Sequence, residues 1–206
     1  MYIGRFIVIG RTENGKPFIS YRVSSRSFPN RRGVLRGNTV TILPENIEDI
    51  LHNPYIMYNA LKVVNNCIVA ANGSHTDVIG EKIETGFPVR DALLYPLALM
   101  DYERDEYRTP RIGGVLYGEG GYLGYVSEKD IRVCKVPLRD GIGYYLGTYG
   151  ACRISEDQRI DVVGETAGDI CKYILEYEEF EYPVCCATAL IDGDKVEIEV
   201  VNKGEV

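Results

Sequence analysis

Residues 2–24, YIGRFIVIGRTENGKPFISYRVS, decide the opening of the fold because they contain two strands and the turn that joins them. Residues 2–10 are rich in β-branched and aromatic side chains, which favour a strand. The Asn14-Gly15 pair is a strong hairpin signal, and residues 17–24 then alternate apolar and polar side chains as a returning strand would. The chain is therefore predicted to open with an antiparallel hairpin.

The same pattern occurs at the other end of the sequence. Strands are predicted at 182–191 and 194–201, joined by a tight turn at Asp192-Gly193-Asp194. A second antiparallel hairpin is therefore expected to close the fold.

Between these hairpins the predicted elements occur in blocks. Further strands are predicted at 38–43, 55–59, 61–71, 111–118, 121–127, 131–136 and 144–154. Helices are predicted at 45–52, 76–85, 88–103 and 165–177, with Pro96 expected to kink or split the third, and a basic loop is predicted from Arg26 to Gly33. Strands joined by tight turns imply mainly antiparallel sheets, and grouped helices must cover their outer faces. The prediction is an α+β fold with two stacked sheets and outer helices, a four-layer αββα sandwich.

Composition limits the class of protein. With 45% hydrophobic and 26% charged residues, the 206-residue chain resembles an ordinary globular protein, and we expect one domain over residues 1–206. No run of apolar residues is long enough to span a membrane, and the first residues lack the layout of a signal peptide. A cytoplasmic protein without a membrane partner is therefore expected.

The cysteines and histidines give no sign of a disulfide framework or a zinc site. The six cysteines form no C-x-x-C pair, and most lie within apolar runs, so we expect free thiols in a reducing compartment. These are Cys67, Cys134, Cys152, Cys171, Cys185 and Cys186. The chain has only two histidines, His52 and His75, which is too few for a multi-histidine zinc site. No metal and no cofactor are expected.

Basic residues are concentrated at the start of the chain. Residues 1–40 contain eight basic side chains and one acid, so this segment carries about +7 and the remainder about −14. A local cationic site in an otherwise acidic protein suits a small phosphorylated ligand better than a nucleic acid. The alternative is a solvated basic edge that binds nothing.

The densest polar cluster is the segment Tyr21–Arg32, YRVSSRSFPNRR. Alternation along a strand would bring Arg22, Ser24 and Arg26 to one face, where guanidinium and hydroxyl donors match a phosphate. A basic exposed hairpin explains the same residues equally well.

A second candidate segment, residues 71–77, leads from a strand into a helix with the sequence ANGSHTD. Backbone amides at a helix N-terminus favour anions or another polar group of a substrate. The segment alone is better explained as a turn and a helix cap, which needs only Ser74 or Asp77.

The third candidate segment, residues 101–114, mixes both charge signs with tyrosines at the end of a helix. A carboxylate or phenol beside a cation suits general acid–base catalysis, although a solvated helix end accounts for most of these charges. Tyr58 and Asn59 add a phenol and an amide at a strand end. The glycine-rich stretches near 118–121 and 141–143 match no nucleotide-cofactor motif and are predicted to be hairpin turns.

Three separated motifs together resemble one protein family. YRVSSRSFPNRR at 21–32, NGSHTD at 72–77 and TPRIGG at 109–114, in this order, resemble the archaeal-type IMP cyclohydrolases, and so does the opening Tyr2–Arg5. The resemblance implies cyclisation of 5-formamidoimidazole-4-carboxamide ribonucleotide (FAICAR) to inosine monophosphate (IMP) and water. It also implies an Ntn-hydrolase-like αββα fold, in agreement with the order of predicted elements.

Roles for individual residues follow from their chemistry, given this reaction. The predicted anion-binding pocket comprises Arg22, Arg26 and Arg31 with Ser24 or Ser25. The groups expected near the base and carboxamide are Asn72, Ser74 and Thr76, with Asn59 as a further binding residue. The candidates for proton transfer and oxyanion stabilisation are Tyr58, Glu103 and Arg104, with Tyr102 as an additional substrate contact.

Two other classes of function remain open from the sequence. A purine-nucleotide-binding module without catalysis would use the same kinds of residue. An Ntn-type amidohydrolase would need a nucleophile at its processed N-terminus, whereas Met1 here precedes the bulky Tyr2. Antiparallel sheet edges and several tyrosines are compatible with a homo-oligomer.

Overall fold

The computed structural model describes residues 1–205 and contains the strands and helices that follow. Its strands are β1 (Arg5–Arg11), β2 (Pro17–Ser24), β3 (Arg31–Arg36), β4 (Thr39–Pro44), β5 (Tyr58–Val64), β6 (Cys67–Ala71), β7 (Arg111–Tyr117), β8 (Gly120–Val126), β9 (Ile131–Val136), β10 (Ile142–Gly147), β11 (Arg159–Asp161), β12 (Pro183–Asp192) and β13 (Lys195–Asn202). Its α-helices are α1 (Asp49–His52), α2 (His75–Glu84), α3 (Val89–Met100) and α4 (Ala167–Glu176), and a 3₁₀ turn spans Pro54–Ile56.

The strands form two antiparallel sheets. The first sheet has the order β11-β10-β1-β2-β12-β13, and the second has the order β3-β4-β5-β6-β7-β8-β9. The predicted hairpins at both ends of the chain are confirmed, since β1 pairs with β2 and β12 pairs with β13. The opening and closing hairpins also pair with each other through β2 and β12.

Three buried apolar clusters hold the layers of the fold together. Between the sheets, Ile7 and Ile19 of the first sheet join Leu61 and Ile112 of the second in one buried cluster. A second cluster joins α4 to the outer face of the first sheet, and a third joins α2 and α3 to the outer face of the second. The order of layers is therefore α4, first sheet, second sheet, α2 with α3, and the predicted α+β sandwich is confirmed.

Several predicted boundaries need correction. The strand predicted at 61–71 is two strands, because Asn65 adopts a positive φ of 51° and turns the chain between β5 and β6. The strand predicted at 55–59 is the 3₁₀ turn followed by the first residues of β5. The strand predicted at 144–154 ends at Gly147. The predicted basic loop is shorter than expected because β3 begins at Arg31, and β11 was not predicted.

Helix α3 differs from its prediction in two respects. It continues through Pro96 without a break, and Pro96 is buried, so packing of the helix on the second sheet outweighs the loss of one backbone hydrogen bond. It ends at Met100 because Asp101 takes a φ of 56°, which a helix cannot accommodate. Glu103 therefore lies in a loop rather than on the helix.

Two predictions about composition can be compared with the structure. All six cysteines are free thiols. In the part of the chain described, none of the helices combines the length and the apolar character that crossing a bilayer requires.

Candidate functional site

A cleft of about 260 Å³ opens at the end of the sandwich where β1 begins and β2 ends. It is bordered by the residues that follow β2, by the start of β3, by the 3₁₀ turn and by the loop between α3 and β7. Each of these segments begins or ends at the same end of the two stacked sheets. The cleft therefore collects side chains that are far apart in the sequence.

Glu103 is the most deeply buried acid of the cleft. Its side chain is 1% exposed, and its Oε2 accepts a hydrogen bond from Nη2 of Arg5 at 3.2 Å. Its Oε1 lies 3.7 Å from Nη1 of Arg111, which is too far for a hydrogen bond. The backbone N–H of Glu103 donates to the Thr109 carbonyl at 2.8 Å, which fixes the loop around the carboxylate.

The electrostatic surroundings of Glu103 favour a proton on its carboxyl group. Burial raises the pKa of Glu103 above its ordinary value, and the positive charges of Arg5 and Arg111 limit this rise. Burial lowers the pKa of Arg5, but the carboxylate of Glu103 and the neighbouring phenols together outweigh burial and raise that pKa. A buried acid of raised pKa beside two guanidinium groups is suited to transferring a proton near neutral pH.

Four buried polar atoms of cleft residues lack a hydrogen-bond partner among the side chains that the structure describes. They are Oε1 of Glu103, Oγ of Ser24, Nη1 of Arg31 and Nε of Arg5. Buried polar atoms are nearly always paired in native proteins. An acid, a hydroxyl and a guanidinium left open in one cleft indicate a ligand that carries both donors and acceptors.

Arg31, Ser24 and Ser25 lie together on one wall of the cleft, and Arg31 gives this wall its positive charge. The Nε of Arg31 donates to the Phe28 carbonyl at 3.0 Å, which holds the guanidinium in place while Nη1 stays open. Oγ of Ser25 accepts from the Phe28 N–H at 3.0 Å and ties the same turn together. The predicted residues Ser24, Ser25 and Arg31 therefore do lie together at the cleft.

Tyr58 contributes a phenol close to these charges. Its Oη lies 2.7 Å from Oη of Tyr21, and the two phenols form a buried hydrogen bond between the sheets. Burial raises the pKa of Tyr58, whereas the nearby charges of Arg31 and Arg5 lower it. Tyr58 is therefore protonated at neutral pH and belongs to the same electrostatic environment as Glu103.

The second and third sequence motifs meet behind the cleft. Asn72 bridges to the strand β7 through the Pro110 carbonyl at 3.0 Å and the Ile112 N–H at 2.7 Å. Nε2 of the buried His75 lies 2.8 Å from the Ile112 carbonyl. These bonds fix the start of β7, and with it Arg111, at the distance from Glu103 given above. The two motifs thus contribute to the site by fixing the backbone behind it.

Arg22 does not line the cleft, so its predicted place in the anion-binding pocket is wrong. Its side chain is completely buried on the α4 side of β2, where it donates to the carbonyls of Ile174 at 2.8 Å and Phe180 at 2.6 Å. These carbonyls lie at and beyond the end of α4, so Arg22 caps that helix. Alternation puts Arg22 and Ser24 on the same face of β2, but the strand ends at Ser24, where its pairing with β12 is irregular. Ser24 therefore lines the cleft, whereas Arg22 lies where α4 covers the sheet.

Three other predicted binding residues also act elsewhere. Asn59 accepts from Thr41 and donates to Asp77 on the α2 side of the second sheet. The hydroxyl of Thr76 donates to the Gly73 carbonyl at 2.9 Å and closes the first turn of α2. Ser74 is exposed and does not line the cleft.

The remaining predicted residues lie near the rim or on the surface. Arg26 is exposed and stacks over the ring of Tyr2 at 5.5 Å, beside a shallow chamber that shares Tyr2 with the main cleft. Arg104 is 69% exposed and pairs with Asp101 and with the phenol of Tyr102, at 2.5 and 3.1 Å. Arg104 and Tyr102 therefore form a local surface cluster outside the cleft.

The sequence patterns assign no individual role to several residues of the site. Arg5, Tyr55 and Tyr149 line the cleft, and Arg111 lies behind it at 3.7 Å from Glu103. Arg5 and Tyr149 are separated by most of the chain, and only the pairing of β1 with β10 brings them together. The charge of Arg5 at the start of an apolar strand was the one signal available in the sequence.

The cleft residues offer hydrogen bonds and charge. Among the side chains that the structure describes, no group of three or more histidine, cysteine, aspartate or glutamate residues is arranged to hold a metal ion. The chemistry open to these side chains is the binding of an anionic ligand and the transfer of protons.

Comparison with known proteins agrees with the resemblance seen in the sequence motifs. A family described as "IMP cyclohydrolase-like protein" matches residues 2–195. A protein of Methanococcus aeolicus named IMP cyclohydrolase is 57% identical over 197 residues, which cover 94% of this chain and 97% of that protein. A protein of the same name from Methanocaldococcus jannaschii is 56% identical, with 98% of this chain and 100% of that protein covered. Another from Methanocella arvoryzae is 42% identical, with 98% of each chain covered.

Proposed function

The chain belongs to the IMP cyclohydrolase-like family, and on this premise we propose that it is an enzyme that cyclises FAICAR to IMP and water. The observation that carries the proposal is the buried Glu103, with one oxygen on Arg5 and the other open, in a cleft that also holds unpaired phosphate-binding donors. The reaction would be the last step of purine nucleotide biosynthesis, and we expect it to take place in the cytoplasm in a one-domain protein.

The reaction defines what the site must supply. The carboxamide nitrogen attacks the formyl carbon within the same molecule, so a C–N bond forms and the formyl oxygen becomes a hydroxyl. The attacking nitrogen loses one proton and the formyl oxygen gains one. The hydroxyl then leaves as water with a second proton, while the formamide nitrogen loses its own proton and forms a double bond to the former formyl carbon. The enzyme must hold the two groups together, and such preorganisation contributes on the order of several kcal/mol to lowering the barrier.

We assign the phosphate of the substrate to Arg31, Ser24 and Ser25. The open Nη1 of Arg31 and the open Oγ of Ser24 match phosphate oxygens, and neither atom has another partner in residues 1–205. Arg26 at the rim adds a cation that attracts the same group. Arg22 has no part in this assignment, because its donors bind carbonyls at the end of α4.

We assign proton transfer to Glu103. Burial raises the pKa of its carboxyl group and so makes protonation easier than for an exposed glutamate. The open Oε1 gives that proton a route to the leaving hydroxyl, and the same oxygen accepts one from the carboxamide nitrogen when ionised. Arg5, held on Oε2, is suited to stabilise negative charge on the formyl oxygen, the role predicted for Arg104.

Tyr58 is the second candidate for proton transfer. Its hydrogen bond to Tyr21 gives the phenol a partner that accepts or returns a proton without exposure to water. Its raised pKa keeps it a donor at neutral pH, so it suits the acid role better than the base role. Asn72, Thr76 and Asn59 support the framework in this account, and Arg104 and Tyr102 remain outside the site.

The experiment is a turnover assay with identification of the product. The purified protein is mixed with FAICAR, the absorbance change is followed in the ultraviolet, and IMP is identified by chromatography. We expect IMP to form much faster than in buffer alone. Binding of FAICAR and IMP in calorimetry without faster IMP formation would identify a nucleotide-binding module and overturn the proposal.

A further inference from the structure

A chain of three side chains connects the third sequence motif to the wall of the cleft. Oγ1 of Thr109 donates to Oδ2 of Asp105 at 2.6 Å, and the Thr109 backbone N–H donates to Oδ1 of the same carboxylate at 2.8 Å. Oγ1 of Thr109 also lies 2.6 Å from Oη of Tyr149. Asp105 and Tyr149 both line the cleft, and Thr109 is completely buried.

The direction of the hydrogen bonds in this chain is fixed by counting hydrogens. A threonine hydroxyl has a single hydrogen, and here it is used on Asp105. Oγ1 of Thr109 can therefore only accept from Tyr149, so the phenol hydrogen of Tyr149 is also used. Towards a ligand, the phenol oxygen of Tyr149 has only lone pairs left to offer.

The ring of Tyr149 is held from two further sides. It stacks on Tyr2 with centroids 5.6 Å apart and an interplanar angle of 19°. It also packs against Gly4, where a Cβ atom would lie 2.6 Å from Cδ2 of Tyr149. Burial raises the pKa of Tyr149, so the phenol keeps its hydrogen at neutral pH. The phenol oxygen is therefore a fixed acceptor.

We propose that Tyr149 is a specificity-determining residue that accepts a hydrogen bond from the carboxamide NH₂ of the substrate, with Thr109 and Asp105 as its positioning residues. This inference rests on the proposed function, because it assumes a carboxamide ribonucleotide in the cleft. A carboxamide has two N–H donors and satisfies the phenol oxygen. A carboxylate in the same place has only acceptors and leaves two sets of lone pairs facing each other. The chain of hydrogen bonds thus selects the amide and orients the nitrogen that attacks.

The test compares two probes that cannot cyclise because they lack a formyl group. They are the ribonucleotides of 5-aminoimidazole-4-carboxamide and 5-aminoimidazole-4-carboxylate, and the readout is the ratio of their inhibition constants. The cations of the cleft are the same in every variant, so changes in this ratio isolate the contact of Tyr149. A variant that only loosens the fold would weaken both probes together and leave the ratio unchanged.

We expect the preference for the carboxamide to fall by about 10-fold in Tyr149→Phe, which removes the acceptor. It should fall further in Thr109→Val, because the phenol hydrogen is then free to donate to a carboxylate. Thr109→Ser keeps the hydroxyl and should restore the wild-type ratio. An unchanged ratio in both Tyr149→Phe and Thr109→Val would overturn the inference.

The same measurements separate this inference from the proposed function. If the wild-type protein does not turn over FAICAR, calorimetry gives dissociation constants for the two probes in place of inhibition constants. The ratio between the two probes is therefore measured in either case. Turnover of FAICAR with an unchanged ratio would contradict the role of Tyr149 and leave the proposed function standing. A changed ratio without turnover would support the contact and contradict the proposed function.

Discussion

Arg31 and Arg32 are adjacent in the sequence but lie in opposite environments. Arg31 is 5% exposed and borders the cleft, whereas Arg32 is exposed, because successive side chains of a strand point to opposite faces. This pair offers a matched test of the phosphate assignment, since both variants remove the same charge from the same strand.

Arg31→Ala should raise KM for FAICAR by about 10- to 100-fold, the loss expected for a charge-assisted hydrogen bond to a phosphate. Arg32→Ala should leave KM nearly unchanged. Steady-state kinetics checks both, and circular dichroism verifies that each variant is folded. Equal effects of the two substitutions would show that the contribution is general attraction and would remove Arg31 from the phosphate contact.

His75 provides a second prediction at the scale of single residues. Burial lowers the pKa of His75 to about 3, so the folded protein keeps this ring neutral where the unfolded chain would protonate it. Between the ordinary histidine pKa near 6.5 and a pKa of about 3, the unfolded state binds more protons, so stability falls as the pH falls through this window.

The comparison with His75→Gln isolates this effect from that of the carboxylates. The glutamine amide preserves a donor for the Ile112 carbonyl but does not titrate. The stability advantage of the wild type over the variant should shrink by up to about 1.4 kcal/mol per pH unit from pH 6.5 to pH 4.5. Urea unfolding at several pH values measures it, and a constant difference between the two proteins would contradict a neutral His75.

At the scale of elements, β1 and β10 bring the wall of the cleft against the start of the chain. Gly4 has a φ of 72°, and a Cβ atom there would lie 2.3 Å from Oγ1 of Thr148 and 2.6 Å from Tyr149. Gly37 has a similar φ of 61°, but nothing lies within 4 Å of the place of its Cβ. Both glycines therefore need a positive φ, and they differ in that only Gly4 has neighbouring atoms where a Cβ would lie.

Gly37→Ala should lower the free energy of unfolding by about 1–2 kcal/mol, the cost of a left-handed conformation for a residue with a Cβ. Gly4→Ala should cost more than this and should also reduce kcat/KM, because Tyr149 must move. Denaturant unfolding and steady-state kinetics measure the two effects. A Gly4→Ala variant with the stability of Gly37→Ala and full activity would show that the contact with Tyr149 has no role.

Local sequence patterns predicted the elements better than their ends. The hairpins at both ends and the helices were predictable, because turn signals and apolar spacing are local properties of the sequence. The split between β5 and β6 depends on one asparagine with a positive φ, and the unbroken α3 depends on packing around Pro96. Such tertiary effects override the local preferences on which the prediction was based.

The candidate site was predictable only in part, for a similar reason. Ser24, Ser25, Arg31 and Glu103 combine reactive chemistry with positions at the ends of elements, and they do line the cleft. Arg22 shares a face of β2 with Ser24 by alternation, but α4 covers that face at Arg22, whereas Ser24 is the last residue of the strand and lines the cleft. Where a helix covers a sheet and where a cleft opens depends on tertiary packing, which the sequence pattern alone does not reveal.

At the scale of the whole molecule, the two stacked sheets place a buried acid beside two guanidinium groups at one end of the sandwich. The clustered basic residues of the first 40 positions serve different purposes in this arrangement. Arg5 and Arg31 line the cleft, Arg26 stands at its rim, and Arg22 caps a helix. The central claim is that this one cleft, through Glu103, carries out the cyclisation.

The most direct test is the rate of IMP formation from FAICAR by the wild type, Glu103→Gln and Glu106→Gln, each treated with a chelator. Glu106 lines the same cleft but is exposed, so it is the matched control. We predict that the wild type and Glu106→Gln form IMP at similar rates, and that Glu103→Gln loses about 100-fold or more in kcat with a small change in KM. Full activity of Glu103→Gln would contradict the account.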